Sequence, residues 1–319
     1  MRIYVGVTDQ DWFDFLRSQP GIDEVNFWQP SPDSEFRALN KGELFLFKLH
    51  RGPRTGSQDL IAGGGVFASY SVLPMTLAWE AFEQRNGAAS CSEMRRKLVH
   101  YRRIADIPHE DFHVGCIVLT QPFFFDESMW FPVPDWSPSI VRGKAKGYEL
   151  DKEAGRFIWE RLQTAWGHQR IFDLETEARR VDEERARYGK ETTIRPRLGQ
   201  GAFRLLVTDA YGRSCAITKE HSLPALEAAH IRPFNENGPH AVRNGMLLRS
   251  DFHRLFDHGY ITVTPEYKIV ISRRLKGEFE NGHSYYPFHG HLLSHLPADP
   301  NDRPQKEFLA WHNDVVFNE

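Results

Sequence analysis

The chain has 319 residues, and its 40 Lys and Arg against 43 Asp and Glu give a formal net charge of −3. With 40% apolar and 26% charged residues, it has the composition of an ordinary soluble globular protein of about two domains. This balance excludes a strongly basic protein, so any contact with nucleic acid must rest on locally concentrated Lys and Arg. Two such clusters occur, at residues 142–146 (RGKAK) and 195–204 (RPRLGQGAFR).

Cysteine usage and the length of the apolar runs indicate the compartment. Cys91, Cys116 and Cys215 lie far apart and form neither a disulfide framework nor a CxxC pair. No apolar run approaches the roughly 18 residues that span a bilayer, and the first residues lack the basic region and cleavage site of a secretory signal. We therefore expect a cytoplasmic protein that does not contact a membrane.

The first 150 residues are predicted to be mostly β-structure, because apolar, β-branched and aromatic residues alternate along them. The predicted strands are residues 1–7, 42–50, 60–70 and 114–119. Short helices are predicted at residues 9–16, 35–39, 76–86 and 92–101. A long aromatic loop, residues 122–136, follows the last of these strands.

A short aromatic motif in this half resembles a known domain. Residues 26–31 (NFWQPS), Gly42 and the GGGVF run at 63–67 are similar to the EVE and YTH branch of the PUA-like superfamily. The resemblance implies a small β-barrel that holds a flipped-out modified base in an aromatic cage. Stacking on an aromatic ring contributes about 1–3 kcal/mol per base, which is why such cages are aromatic.

The resemblance places Trp28 at one wall of the modified-base pocket. Tyr70 and Trp130 are further candidate walls, and Asn26 and Ser69 are candidates for reading the base edges. Each of the aromatic residues is also a candidate for the core, since most Phe and Trp side chains of a globular protein pack inside it. Turn and strand roles stay open for Asn26 and Ser69.

A change of composition separates the two halves of the chain. Residues 151–166 carry apolar side chains at helical spacing, with charged residues on the opposite face. Residues 173–189 (DLETEARRVDEERARYG) are almost wholly charged, with Glu and Arg three or four residues apart, which is typical of an exposed helix. We predict a helical linker at residues 151–194 between domains at 1–150 and 195–319.

The second half begins with an amphipathic helix at residues 201–211 and continues as strand, loop, strand and helix. His230 ends the first strand, predicted at residues 226–231, and Asn244 opens the second. Ser250 is the predicted N-cap of the following helix. His253 and Asp257 are four residues apart and therefore lie on one face of that helix. A hairpin is predicted at residues 259–272.

These residues at these positions resemble the HNH (ββα-metal) nuclease motif. The lead-in at residues 197–204, 215–218 and 227–231 is similar to an HNH subgroup found in restriction endonucleases. The resemblance implies that His230 is the general base, that Asn244 helps to position it, and that His253 binds a metal ion. Asp257 can join His253 as a ligand, because the two share a helix face.

One departure from the motif leaves a ligand open. Many family members carry Asp or His immediately before the base, where this chain has Ala229. Asp251 and Glu227 are the two alternatives, and phosphate oxygens or water can complete the shell. Such an oxygen-rich shell suits Mg²⁺ or Mn²⁺ better than structural zinc. A four-cysteine zinc site is excluded in this half, whose single cysteine is Cys215.

The C-terminal tail carries further histidines, and we interpret them as surface and packing residues because their spacing matches no ligand template. They are His283, His289, His291, His295 and His312.

The predicted fold class is thus α+β: a PUA-like β-barrel, a helical linker and an HNH domain. This fusion resembles modification-dependent restriction endonucleases. The resemblance implies capture of a flipped 5-methyl- or 5-hydroxymethylcytosine in double-stranded DNA, followed by hydrolysis of a nearby phosphodiester. Arg197, Arg204 and Arg243 are the candidates for contacts to the DNA backbone. One active centre cuts one strand, so a double-strand break requires a homodimer, two recruited copies or sequential nicking.

Two alternatives remain at this point. The first is an RNA-directed HNH nuclease, since the PUA-like superfamily includes many RNA binders. The second is a non-catalytic reader of modified bases with a decayed HNH scaffold. Retention of His230, Asn244 and His253 argues against decay, whereas Ala229 keeps that alternative open.

Overall fold

The computed structural model describes residues 2–32, 35–107, 110–136, 146–168 and 199–319. The chain separates into two compact units, Met1–Arg197 and Leu198–Glu319, here called the N-terminal and C-terminal units.

The N-terminal unit is built mainly on strands. Its strands are β1 (Arg2–Thr8), β2 (Glu24–Gln29), β3 (Leu44–Leu49), β4 (Leu60–Pro74), β5 (His113–Phe124), β6 (Phe131–Pro132) and β7 (Lys146–Glu149). Its helices are α1 (Gln10–Arg17), α2 (Met75–Phe82), α3 (Cys91–Arg102) and α4 (Glu153–His168). Residues 35–39, predicted to be helical, form no helix. A five-residue segment is too short for a stable helix, and Phe36 packs edge-on against Tyr4 instead.

All of these strands belong to one sheet in the order β2-β5-β4-β3-β1-β7, with β6 paired to β4. The pair β1–β3 is parallel, and the other pairs are antiparallel. Within the described residues, β2 pairs only with β5 and β7 only with β1, so the sheet is open. The α+β fold class is confirmed, and the described residues show an open sheet where a closed β-barrel was expected.

Apolar residues lie on both faces of the sheet and pack against helices. Ile3 and Leu46 point to one face, where they form a core cluster with Ile158 of α4. On the other face, Trp12 and Phe13 of α1 pack edge-on against Phe47. Each face thus packs against a helix, α4 on one side and α1 on the other.

Helix α4 occupies the first part of the predicted linker. Its residues Ile158, Leu162 and Ala165 are buried in the core of the N-terminal unit, so residues 153–165 belong to that unit's fold. The charged segment at 173–189 lies outside the described residues. No helix within the described ranges combines the length and hydrophobicity that a bilayer-spanning segment requires.

The C-terminal unit alternates helices with two short β-hairpins. Its helices are α5 (Gln200–Ala210), α6 (Ser250–Asp257), α7 (Arg274–Phe279) and α8 (Lys306–Val315). Its strands are β8 (Leu226–His230), β9 (Gly245–Arg249), β10 (Ile261–Val263) and β11 (Ile269–Ile271). The hairpin predicted at residues 259–272 is confirmed by the antiparallel pair β10–β11. Phe203, Phe252 and Leu309 contribute to one core from three helices.

His312 on α8 is part of this core. Its ring stacks on Phe256 at 3.6 Å, its Nδ1 lies 2.8 Å from the Thr262 hydroxyl, and its Nε2 lies 3.2 Å from the Phe256 carbonyl. Burial lowers the pKa of His312 from 6.5 to about 4. The neutral ring is therefore the form that the folded state accommodates.

We expect this histidine to make the C-terminal unit less stable in mild acid. Below pH 6.5 the His312 ring binds a proton in the unfolded chain, whereas in the folded protein it stays neutral down to about pH 4. The stabilisation is thus complete above pH 6.5 and is lost as the pH falls towards 4, by about 3 kcal/mol at most. Urea unfolding of wild type and His312→Gln at a series of pH values measures the effect. Equal pH slopes in the two proteins would contradict it.

Candidate functional site

The site lies on the β8–β9 hairpin and helix α6. Strand β8 runs antiparallel to β9, and His230 at the end of β8 pairs with Gly245 at the start of β9. Asn244 immediately precedes β9, and α6 follows β9 directly and carries His253 and Asp257. Ser250 is the first residue of α6 and Arg249 is its N-cap, one residue earlier than predicted.

Aromatic packing and a second histidine fix the ring of His230. Phe203 of α5 stacks on it with ring centroids 3.7 Å apart and planes 14° from parallel. Its Nε2 lies 2.9 Å from Nδ1 of His240, in the loop between the strands. The close approach of α5 requires glycine at 245, because a Cβ there would lie 2.6 Å from Val207 and 2.9 Å from Phe203.

This environment keeps His230 neutral. Burial, together with smaller electrostatic contributions from His240 and His253, lowers its pKa from 6.5 to about 4. A neutral imidazole has a lone pair that can take a proton from water. His253 contacts Glu227 of β8, the strand that ends at His230, so α6 lies beside the strand that carries the proposed base.

Asn244 acts on the loop between the strands. It is fully buried, its Oδ1 accepts from the Arg232 amide at 3.0 Å, and its Nδ2 donates to the carbonyls of Arg232 and Pro239, both at 2.9 Å. The loop is so tight that a Cβ at Gly238 would lie 1.8 Å from the Arg232 carbonyl oxygen. Asn244 thus holds the loop that carries His240, and it has no direct hydrogen bond to His230.

Replacing Asn244 by alanine is expected to destabilise the C-terminal unit by about 3 kcal/mol, since each buried polar group left without a partner costs about 1–3 kcal/mol. Urea unfolding monitored by tryptophan fluorescence measures the loss. Asn235→Ala, at an exposed position in the same loop, is the matched control and should change stability by less than about 0.5 kcal/mol. Similar losses of stability in the two variants would show that the hydrogen bonds of the Asn244 side chain do not stabilise the fold.

His253 lies between two carboxylates. Its Nδ1 is 2.6 Å from Glu227 Oε2, and its Nε2 is 3.2 Å from Asp257 Oδ2. Partial burial raises the pKa of Asp257 and the charge of Glu227 raises it further, while His253 and His258 act in the opposite direction. Two carboxylates on either side of one imidazole, one of them with a raised pKa, form an environment that a cation would stabilise.

A family model described as HNH endonuclease matches residues 215–264, a range that contains Glu227, His230, His240, Asn244, His253 and Asp257. Residues 215–264 form an HNH nuclease domain. No curated protein matches the chain.

Two solved structures are similar to the chain that carries this HNH domain. One is described as the modification-dependent TagI restriction endonuclease, with a TM-score of 0.32 and 13% identity over 98% of this chain and 81% of that chain. The other is described as the type IV phosphorothioation-dependent restriction endonuclease ScoMcrA, with a TM-score of 0.20 and 12% identity over 80% of this chain and 49% of that chain.

The donor types in the HNH domain fit a divalent ion. Glu227, His253 and Asp257 offer two carboxylates and an imidazole, which Mg²⁺ and Mn²⁺ accept in proteins. Here the imidazole separates the carboxylates, and no three His, Cys, Asp or Glu side chains of the described ranges are grouped as a ready metal site. Ion binding would therefore replace hydrogen bonds within this row of side chains.

The structure distinguishes the two alternatives for the open ligand. The Asp251 carboxylate accepts two hydrogen bonds from the Arg249 guanidinium, at 2.6 and 2.7 Å, and a third from the Tyr285 hydroxyl at 3.3 Å. The Arg249 contact lowers the pKa of Asp251, whose charge is thus already paired. Glu227 contacts His253 instead, which makes Glu227 the better candidate.

The N-terminal unit contains an aromatic cavity of about 210 Å³. Its aromatic lining residues are Tyr4, Trp12, Phe27, Trp28, Phe45 and Tyr101. Asp9, Gln29 and His50 are its polar lining residues. Trp28 is the one predicted pocket residue among them, and its Nε1 donates to the Asn86 carbonyl at 2.8 Å.

The other four predicted pocket residues do not line this cavity. Asn26 is fully buried and donates to the Asn86 side chain at 2.9 Å. Trp130 packs edge-on against Phe13 and donates to a backbone carbonyl, so it has a structural role. Tyr70 packs near Phe36, and the Ser69 hydroxyl is buried with no hydrogen-bond partner within the described residues.

The predicted DNA-backbone residues are placed as follows. Arg197 lies outside the described residues, as does Arg142 of the first basic cluster. Arg204 is half-buried on α5, and Arg243 is exposed next to Asn244.

Sequence reasoning did not identify His240 or Phe203 as part of the site. Neither has a spacing relative to His230 that indicates contact, and only the folded loop and α5 bring them to that ring.

Proposed function

We propose that this protein is a modification-dependent DNA endonuclease. The N-terminal unit would hold a flipped 5-methyl- or 5-hydroxymethylcytosine, and the HNH domain would hydrolyse a phosphodiester of the same DNA. The observation that carries the nuclease assignment is the arrangement of His230 at the end of β8 and His253 on α6, which contacts Glu227 of β8, in a segment that matches the HNH endonuclease model.

The residues of the HNH domain divide the chemistry between them. His230 takes a proton from water, the water oxygen bonds to phosphorus, and the bond from phosphorus to the 3′ oxygen breaks. A divalent ion, Mg²⁺ or Mn²⁺, would be held by His253 and Asp257 with Glu227, and it would supply stabilisation of the negative charge that develops during hydrolysis. Asn244 holds the loop beside His230, and Phe203 holds the plane of its ring.

The aromatic cavity supports the base-reading half of the proposal. Trp28 and Tyr101 lie on it with ring centroids 5.8 Å apart and offer π-faces for an extruded base. Gln29 also lines it, and Gln29 Oε1 is buried without a hydrogen-bond partner among the described residues. The exocyclic amine of cytosine is a donor, and it would reach this acceptor after the Gln29 side chain turns towards the cavity, because Oε1 has no exposed surface in the present rotamer.

The test uses DNA duplexes of one sequence synthesised with cytosine, 5-methylcytosine or 5-hydroxymethylcytosine. With Mg²⁺ or Mn²⁺, we expect cleavage of a modified duplex, little cleavage of the unmodified one, and none in EDTA. Equal cleavage of all three duplexes would remove the modification reader and leave the nuclease. No cleavage, together with no heat of metal binding in a calorimeter, would favour a non-catalytic reader. The ratio of nicked to fully cut product reports whether both strands are cut together, as in a homodimer.

A further inference from the structure

A second histidine lies beside the proposed general base. His240 Nδ1 is 2.9 Å from His230 Nε2, and the two rings are 67° from parallel. Phe234 stacks on the outer face of His240 at 4.6 Å, as Phe203 stacks on His230 at 3.7 Å. Two phenylalanine rings therefore hold the imidazole pair in one geometry.

The loop supports His240 from the backbone as well. The residue before it is Pro239, which fixes its own φ angle, and the Pro239 carbonyl accepts from the buried Asn244 side chain. The hydrogen bonds by which the Asn244 side chain holds the loop therefore also help to position His240.

The two imidazoles share one hydrogen bond at this distance, and its direction decides the chemistry. If His240 donates from Nδ1, the ring proton of His230 sits on Nδ1 and His230 has no lone pair left for water. If His230 donates from Nε2, its Nδ1 carries the lone pair and can act as a base.

We propose that His240 is a positioning residue that accepts the Nε2 proton of His230 and thereby fixes the tautomer whose Nδ1 accepts a proton from water. The inference rests on the proposed function of His230 as general base. When water loses a proton to Nδ1, the imidazolium that forms still donates from Nε2 to His240, and the hydroxide oxygen bonds to phosphorus. The bond to the 3′ oxygen breaks, and that oxygen takes a proton from solvent.

The first test is spectroscopic and needs no cleavage activity. Nitrogen-15 NMR of histidine-labelled protein near neutral pH distinguishes the two neutral tautomers, and His230→Gln assigns the resonances of His230. We expect the Nε2–H tautomer in the wild type and a mixture of tautomers in His240→Ala. An Nδ1–H tautomer in the wild type, or an unchanged tautomer in His240→Ala, would overturn the proposal.

The second test is kinetic, with the 5-hydroxymethylcytosine duplex and Mn²⁺. His240→Ala should lower kcat about 10- to 10²-fold with KM unchanged, the usual cost of losing a side chain that orients a functional histidine. His240→Asn should recover much of the rate, because its Oδ1 can accept near the position of the imidazole Nδ1. Phe234→Ala, which removes only the stacking ring, should cost less than His240→Ala.

The outcomes separate this inference from the proposed function. If the wild type cuts none of the duplexes, the proposed function fails while the NMR measurement still tests the role of His240. If cleavage is normal and His240→Asn is as slow as His240→Ala, or Phe234→Ala is equally slow, the role of His240 is packing and the inference is wrong.

Discussion

The variant His230→Ala is expected to lower kcat for cleavage of modified DNA about 10²–10⁴-fold, the range that a general base contributes. Its affinity for the same DNA should not change, because His230 acts on water. The pKa of about 4 adds a second expectation. Since His230 stays unprotonated down to that pH, its protonation should not limit the rate between pH 6 and 8. Single-turnover rates and gel-shift affinities, measured in parallel, check both statements.

His291→Ala provides the matched control, because His291 is an exposed histidine of the same unit. It should cleave at the wild-type rate. Unfolding curves for both variants establish that the fold is intact. Cleavage by His230→Ala within about 5-fold of the wild type, below the smallest contribution expected of a general base, would remove this residue from the chemistry.

The second large effect is expected at the aromatic cavity. Tyr101→Ala should weaken binding of the modified duplex about 5- to 150-fold, which corresponds to the 1–3 kcal/mol of one stacking contact. Affinity for the unmodified duplex should hardly change. Tyr101 is well suited to this test because 41% of its surface is exposed and it is not one of the buried core residues. Trp28→Phe, which keeps an aromatic ring, should give a smaller loss.

The control for the cavity is Trp130→Phe. Trp130 lies outside the cavity, so this variant should bind both duplexes as the wild type does. Fluorescence anisotropy with labelled duplexes measures all of these affinities. A selectivity loss in Trp130→Phe as large as that in Tyr101→Ala would mean that the base is read elsewhere.

Local signals in the sequence were sufficient to predict the scaffold of the HNH domain. The apolar run ending at His230, the loop rich in glycine and proline, and the helical spacing of His253 and Asp257 correspond to β8, the connecting loop and α6. These features depend on neighbours in the chain, which is why they can be read from it. The N-cap shows the limit of that reading: Ser250 was expected there, whereas Arg249 occupies the position.

Features that depend on distant parts of the chain were not predictable in the same way. The contacts of His230 with Phe203 and His240 join three segments, and nothing in their spacing indicates them. The open sheet could not be predicted either, because strand patterns do not show whether the edge strands β2 and β7 pair with each other. The burial of Ile158 and Leu162 against that sheet likewise required the fold.

The aromatic residues illustrate why candidate pockets are hard to predict from composition. Trp28 and Trp130 are equally apolar in the sequence, yet Trp28 lines the cavity and Trp130 packs against Phe13. Tyr101 lies on a helix far along the chain from Trp28, and only the fold places the two rings 5.8 Å apart.

The most direct test of the central claim, that the HNH domain activates water against a DNA phosphate, is a cleavage reaction in ¹⁸O-labelled water. The 5-hydroxymethylcytosine duplex is incubated with the protein and Mn²⁺, and the new ends are analysed by mass spectrometry. The account predicts ¹⁸O in a 5′-phosphate and an unlabelled 3′-hydroxyl on the other fragment. A 3′-phosphate product, or a 5′-phosphate without the label, would contradict it.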